Sequence, residues 1–187
     1  MAVAQLWVVR SMKTTKLITL LVITITTHAF AQYEVRKSAD GFSVISKVRG
    51  RTYTVDVPGK DIKTYGADSA NHPYLMVDGR FLQVLSVPLA EFHASASASD
   101  EAALKQQMQY EATYWHAAAV QPNIRKLASG RTVLLWSITA QGKRQIFCTT
   151  RSGSYVFVLG SAVEGGHTIG ELQTWLMRIA GSLHATS

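Results

Sequence analysis

The chain has one cysteine, Cys148, and a single thiol closes no intramolecular bridge, so a disulfide-stapled scaffold is excluded. Residues 1–31 contain no Asp or Glu, and nowhere does the sequence offer the ~20 consecutive apolar residues that a permanent membrane helix requires. Even Leu17 to Ala31 is interrupted by Thr19, Thr24, Thr26, Thr27 and His28. No cysteine lies near Ala31, so lipid attachment of the bacterial lipoprotein kind has no acceptor. No unit recurs with a period of 20 to 50 residues, which excludes solenoids and propellers. No Gly-x-Ser-x-Gly elbow nominates a nucleophilic serine, and Gly160 to Gly166 lacks the Lys-Ser or Lys-Thr that completes a phosphate loop.

What is present at the start is an export signature. Arg10, Lys13 and Lys16 precede the apolar run from Leu17 to Ile25, and Ala29-Phe30-Ala31 supplies small residues where a signal peptidase needs them. Cleavage is expected after Ala31, with residues 1–11 an upstream start extension before Met12-Lys13 and residues 32–187 a single domain in the periplasm or the medium. An uncleaved Leu17 to Ala31 tether is the minority alternative. Without the signal, sixteen basic residues face twelve acidic ones. The bases are dispersed along the chain as Arg49 and Arg51, Lys60 and Lys63, Arg125 and Lys126, Lys143 and Arg144. A nucleic-acid reader needs a clustered footprint, so that role is set aside, while weak attraction to an anionic membrane or glycan surface remains open. A domain of this size buries roughly 68–70% of its unfolded surface and needs no metal to be stable.

Gly41 to Ile45 and Thr52 to Val57 read as a hairpin, and the polar, turn-rich stretch from Lys60 to Asp78 as a long surface loop. Arg80 to Val87 is the next strand, and Ala94 to Ser99 a flexible connector. A helix is expected over Asp100 to Ala119, with Leu104, Met108, Ala112, Trp115 and Ala119 on its buried face. Strands over Ile124–Ala128, Thr132–Thr139, Arg144–Thr149 and Tyr155–Ala162 are separated by turns short enough to impose antiparallel pairing. In Val133 to Trp136 and Tyr155 to Leu159 both alternating sets are apolar, so these strands need cover on both faces. A closing helix begins at Thr168, with Glu171 completing a capping box, and ends in a frayed tail. The fold class is therefore α+β, a mainly antiparallel sheet flanked by helices.

This order of elements, with the placement of Val55-Asp56-Val57-Pro58, Phe81-Leu82 and the Gly130 to Thr139 strand, resembles the PsbP-like family over most of residues 40–184. The resemblance implies an α/β/α sandwich and an accessory role, since members of that family serve mostly as photosystem extrinsic subunits, a nuclear-import accessory factor and bacterial envelope proteins. It carries over no catalytic residue and no cofactor.

Candidate chemistry is sparse. Cys148 shares a strand face with Ile146 and has no charged neighbour in sequence, which describes a buried, inert thiol. Asp61, Asp68 and His72 lie in one loop, but Asn71-His72-Pro73 breaks a helix and leaves no frame for a zinc site. Gly165-Gly166-His167 is internal and lacks the free amine of a copper tripeptide. Tyr110 and Tyr114 border the buried helix stripe, and a groove between that helix and the loop carrying Tyr65, His72 and Tyr74 offers a contact for a ligand or partner. Tyr65, His72, Tyr74 and Tyr114 are accordingly the candidate contact residues. Two functions are weighed: an exported, non-enzymatic accessory or binding protein meeting a protein or envelope component, and a small periplasmic hydrolase or metal-dependent enzyme built from His72, His93, His167 or Cys148. The first is favoured because no convergent catalytic set is legible. N-terminal sequencing of the exported protein is expected to return Gln32 first; an intact Leu17 to Ala31 segment in that fraction would establish the tether instead.

Overall fold

The computed structural model describes residues 32–67, 73–117, 120–140 and 142–186. Its first strand, β1 (Gln32–Ser38), alternates partly buried Tyr33 and Val35 with exposed Glu34 and Arg36, and it pairs antiparallel with β2 (Gly41–Val48). The chain then turns through Arg49-Gly50 into β3 (Arg51–Pro58). A C-terminal strand, β11 (His184–Thr186), adds to the other side of β3, giving a four-stranded sheet in the order β1-β2-β3-β11. The tail expected to fray is thus a paired strand.

The larger sheet is antiparallel throughout. It contains β4 (Ile62–Ala67), β5 (Pro73–Val77), β6 (Arg80–Pro88), β7 (Val120–Lys126), β8 (Thr132–Ala140), β9 (Lys143–Ser152) and β10 (Tyr155–Ala162), in the order β4-β5-β6-β10-β9-β8-β7. The stretch from Lys60 to Asp78 is therefore not the loop expected from its polarity. Leu75 and Val77 are fully buried, and the hairpin they anchor is closed at its base by Asp78. The Asp78 carboxylate accepts from the backbone N–H of Asp61 at 2.8 Å and of Lys60 at 3.0 Å, while Asp78 N–H donates to Asp61 O at 3.0 Å. These bonds, that from Asp61 first, hold the Asp78 carboxyl below the usual carboxylate range. Gly59 is required at this junction, because a Cβ there would sit 2.3 Å from Val77 Cγ1.

Alternation divides the large sheet into two apolar faces. Leu82, Val84, Val133, Leu135, Ile146, Cys148, Phe157 and Leu159 point to one side; Leu85, Val87, Leu134, Trp136, Ile138, Phe147, Val156 and Val158 point to the other. The second side is covered by α1 (Asp100–Tyr114). The first is shared between α2 (Ile169–Ser182), through Leu172, Trp175, Leu176 and Ile179, and the four-stranded sheet, through Val44, Tyr53, Val55 and Val57. The expected α+β class and helices on both faces are present; the second sheet beside α2 was not anticipated. Tyr53 joins the two sheets, its ring 4.8 Å from Phe157 and 5.8 Å from Tyr155, and Trp136 stacks on Phe147 at 4.2 Å.

Helix boundaries follow from capping. Ser99 Oγ accepts from Ala102 N–H at 3.2 Å at the start of α1, and Thr168 with Glu171 forms the expected capping box on α2. The first helix stops at Tyr114 rather than Ala119, since His116 adopts a left-handed φ of 49°. Its buried stripe also differs from the expected one: Leu104 and Met108 are joined by Ala103, Gln107 and Glu111, while Ala112 and Trp115 are only partly buried.

The Ala94 to Ser99 stretch, read as a flexible connector, is tied down. It follows a short 3-10 turn at Leu89–Phe92, and Arg151 from the end of β9 donates to Ala96 O, Ala98 O and Gly153 O. One guanidinium, with its side chain only 12% exposed, thereby satisfies three carbonyls from two loops. Arg151→Met, which keeps the bulk but removes the donors, is expected to lower stability by about 2–3 kcal/mol in urea denaturation and to open residues 94–99 to proteolysis. Unchanged stability and protease resistance would show that these bonds only decorate the loop.

Candidate functional site

Helix α1 presents two chemically distinct faces. On the border facing solvent, Gln106, Gln109, Tyr110, Thr113 and Tyr114 recur at helical spacing and, with Phe92 from the preceding 3-10 turn, line an open groove of about 380 Å³. Gln106 Nε2 donates to Phe92 O at 3.1 Å and fixes the turn against the helix. Phe92 lies 6.4 Å from the Tyr110 ring, and Tyr114 meets Trp115 edge-on at 5.9 Å. Burial pushes the Tyr110 phenol up, as do the negative charges of Glu91 and Glu111, so its hydroxyl stays a neutral hydrogen-bonding group. The groove therefore offers aromatic walls with amide and hydroxyl groups along one rim.

On the inner face, Glu111 is 3% exposed and forms no ion pair with a described residue. Burial pushes its carboxyl up to about 7, opposed by the nearby Trp115 indole and by Gln107, whose Nε2 donates to Glu111 Oε1 at 3.2 Å. The Trp115 N–H lies beside that carboxyl without reaching hydrogen-bond geometry, and Gln107 Oε1 and Trp136 Nε1 are also buried without a partner. A carboxyl held in such surroundings is protonated over much of the acidic range.

The anticipated contact residues occupy different places. Tyr65 projects from β4, the edge strand of the large sheet, and is 62% exposed. Tyr74 is on the neighbouring strand β5 but is buried, its ring 6.1 Å from Phe81. His72 lies outside the described residues. Tyr114 is 44% exposed in the groove on α1, whose walls include neither Tyr65 nor Tyr74. Phe92, Gln106, Gln109 and Thr113 were not singled out from the sequence. The spacing of Gln106, Gln109, Tyr110 and Thr113 was visible there, but not the turn that brings Phe92 against them.

Cys148 is fully buried, and burial pushes its thiol up to about 12, well away from a nucleophilic thiolate. His93 follows the end of β6 that pairs with the start of β10, whereas His167 follows the far end of β10, so the two histidines sit at opposite ends of the sheet. Among the described residues no three His, Cys, Asp or Glu side chains gather at metal-binding distance, and no helix is long and apolar enough to cross a membrane. A second groove of about 320 Å³ lies between the β1–β2 turn, β3 and α2, lined by Asp40, Asp56, Arg178 and Ser182 among others. There Asp56 Oδ1 accepts from Ser43 Oγ at 2.8 Å.

No protein-family model matches the chain, and no curated protein does. Among solved structures it is similar to the solution structure of cyanobacterial PsbP (CyanoP) from Synechocystis sp. PCC 6803, at 12% identity and a TM-score of 0.42, over 87% of this chain and 98% of that one. That protein is of the kind whose element order this sequence resembles. At that identity and degree of superposition the likeness transfers no role to individual residues.

The buried carboxyl makes stability pH-dependent in a defined sense. Its folded pKa of about 7 lies above the ordinary 4.5, so the folded state holds the proton more tightly than the unfolded chain. The contribution is fully present below pH 4.5 and is lost as pH rises through 7. Glu111→Gln is expected to remove this loss, gaining on the order of 3 kcal/mol relative to the native protein when measurements above pH 7 are compared with those below 4.5. Parallel pH profiles of unfolding free energy for the two proteins would show that Glu111 is solvated instead.

Proposed function

We propose that the protein is an exported, non-enzymatic accessory or binding protein that meets a protein or envelope component through Tyr65 on the edge of the large sheet and through the aromatic groove at Tyr114. The observation that carries this is the pattern of exposure. Among the described residues the large hydrophobic side chains left exposed are Tyr65 and Tyr114, and each stands beside a surface ready to dock a partner. Strand β4 leaves one side of its backbone unpaired, as edge strands do, and a partner strand can add there by main-chain hydrogen bonds. The register of β4 against β5 shifts between Thr64 and Ala67, around Tyr65, which interrupts regular pairing at that edge. The groove on α1 combines aromatic walls with polar side chains, the composition of a protein contact rather than of a closed substrate pocket. His72 belongs to the same stretch as Tyr65, and Tyr74 supports that strand from within the sheet. On this reading the signal peptide expected over residues 1–31 supports an encounter outside the cytoplasm.

The rival hydrolase or metal-dependent enzyme would draw on His72, His93, His167 or Cys148; His72 lies outside the described residues, and the placement of the other three at opposite ends of the sheet and in the core offers it no support. A photo-crosslinking amino acid placed at position 65 or 114 in the producing cell is expected to trap a discrete envelope partner, while the same group at position 143 traps none. Tyr65→Ser or Tyr114→Ser should lower recovery of that partner by roughly 10-fold or more, the cost of a hot-spot aromatic. Turnover of a substrate by the purified protein, abolished by one polar substitution, would overturn the reading.

A further inference from the structure

The basic residues that are dispersed in sequence are partly regathered by the fold. Strand register aligns Lys126 with Thr132, Val133 with Thr150 and Ser152 with Tyr155, so Lys126, Arg131, Arg151 and the β9–β10 turn share one end of the large sheet. The β2–β3 turn meets the same end. A Cβ on Gly153 would lie 3.4 Å from Arg51 Nη1 and 3.8 Å from Tyr53 Oη, and the charges of Arg49 and Arg51 both act on the Tyr155 hydroxyl. Lys47 lies there too, paired in register with Gln32 and Thr52, and Arg125 opposite Val133.

Two of these cations are committed inward: Arg151 as described, and Arg131 to Arg151 O and Leu183 O. The other five, Lys47, Arg49, Arg51, Arg125 and Lys126, are exposed, and none forms an ion pair with a described residue. Glu91, in the 3-10 turn whose Leu89 N–H donates to Ser154 O of the β9–β10 turn, is a partly buried acid at this end; the other nearby acids are engaged. Asp100 is 3.7 Å from Arg151 and also acts on Arg131, Glu101 pairs with Lys105 at 2.6 Å, and Glu34, within electrostatic reach of Lys47, is bound by Arg36. Asp40, Asp61, Asp78 and Glu164, in turns and connections, and Glu171, in the first turn of α2, lie at the opposite end, together with Lys60, Lys63, Arg80, Lys143 and Arg144. Acids and bases nearly balance at that end, so the net positive charge of the folded domain gathers at the first end. With strands about 4.8 Å apart, Lys126 on β7 is roughly 14 Å from β10, so the five charges spread over a broad face instead of converging on one small anion.

Strand β1 begins at this same end. We propose that this end is a docking face for the anionic headgroups of a lipid bilayer, with Lys47, Arg49, Arg51, Arg125 and Lys126 making the contact. Juxtamembrane basic residues each contribute about fivefold to such attraction, and charge complementarity over a flat face is what a bilayer rewards. Helix α1 starts at this end beside Arg151 and carries Tyr114 about 21 Å away from it. Docking therefore keeps the Tyr114 end of the groove away from the lipid. The inference depends on the exported-module reading only for the compartment where the bilayer is met, and vesicle binding succeeds or fails independently of any protein partner.

The test is co-sedimentation of the exported protein with phosphatidylcholine vesicles with and without phosphatidylglycerol, across a range of salt. Binding is expected only with phosphatidylglycerol and is expected to fade as salt screens it. Combining Arg49→Asn, Arg51→Gln and Lys126→Gln should weaken binding roughly a hundredfold, whereas Lys60→Gln, Lys63→Gln and Arg144→Gln together, an equal loss of charge, should leave most of it. Circular dichroism checks that both variants fold. In the native protein, lysine acetylation on the vesicle should be blocked at Lys47 and Lys126 but not at Lys60 or Lys143, a result that needs no variant. No preference for phosphatidylglycerol, equal weakening in the two variants, protection of Lys60 and Lys143 instead, or binding to an acidic polysaccharide but not to vesicles would each overturn the proposal.

Discussion

Strands β8, β9 and β10 are apolar on both faces, and a sheet of that kind cannot leave either face to water. Trp136, Ile138, Phe147 and Val158 on one side and Leu135, Ile146, Phe157 and Leu159 on the other are all nearly or wholly buried. Each such side chain is stabilised by roughly 1.5–3 kcal/mol relative to exposure, so the molecule needs two covering layers. One is α1. The other cannot be α2 alone, since a single helix covers about 10 Å of width and the large sheet is seven strands across. The four-stranded sheet supplies the remainder, with Tyr53 bridging to Phe157 and Tyr155 where the two sheets meet. The amphipathic design of β2 and β3, with Val44, Val55 and Val57 inward, follows from that requirement.

How far this could be read in advance depended on whether the signal was local. The doubly apolar β10 and the capping box at Thr168 and Glu171 are written in adjacent residues, and both elements stand where the sequence placed them. Strand β4 was missed because Lys63, Tyr65 and Gly66 are polar or turn-forming, while the residues that hold it, Leu75 and Val77, lie across the hairpin. Strand β11 has three exposed residues and no pattern of its own; only its pairing with β3 makes it a strand. On α1 the sequence favours Ala112 as a core position and gives no sign of Glu111, yet Glu111 is buried and Ala112 only partly so, because the face a helix buries is set by what it packs on and not by its own polarity alone. The groove at Tyr114 was half legible for the same reason: its helical wall has a period, but the opposing Phe92 arrives by a turn held with a side-chain-to-backbone bond.

Charge shows the same dependence on assembly. In the linear sequence Arg49 and Arg51 are more than seventy positions from Arg125 and Lys126, and nothing local relates them. Antiparallel strands fold such pairs to a common end whenever each falls at the appropriate terminus of its strand. Composition therefore describes the total charge well and its distribution poorly. The acidic turns at the other end, Asp78 in particular, are fixed there by structural bonds, so the polarity is built into the same contacts that shape the domain.

The closure of β11 onto β3 has a kinetic consequence. The last residues of the chain complete a sheet begun by the first ones of the domain, and Arg131 locks the join through Leu183 O. Until α2 and β11 have been synthesised, the inward faces of β2 and β3 have no finished core to pack on, and the long-range pairings that define the fold must wait. The polypeptide thus stays loosely organised until residues 184–186 are available to pair with β3.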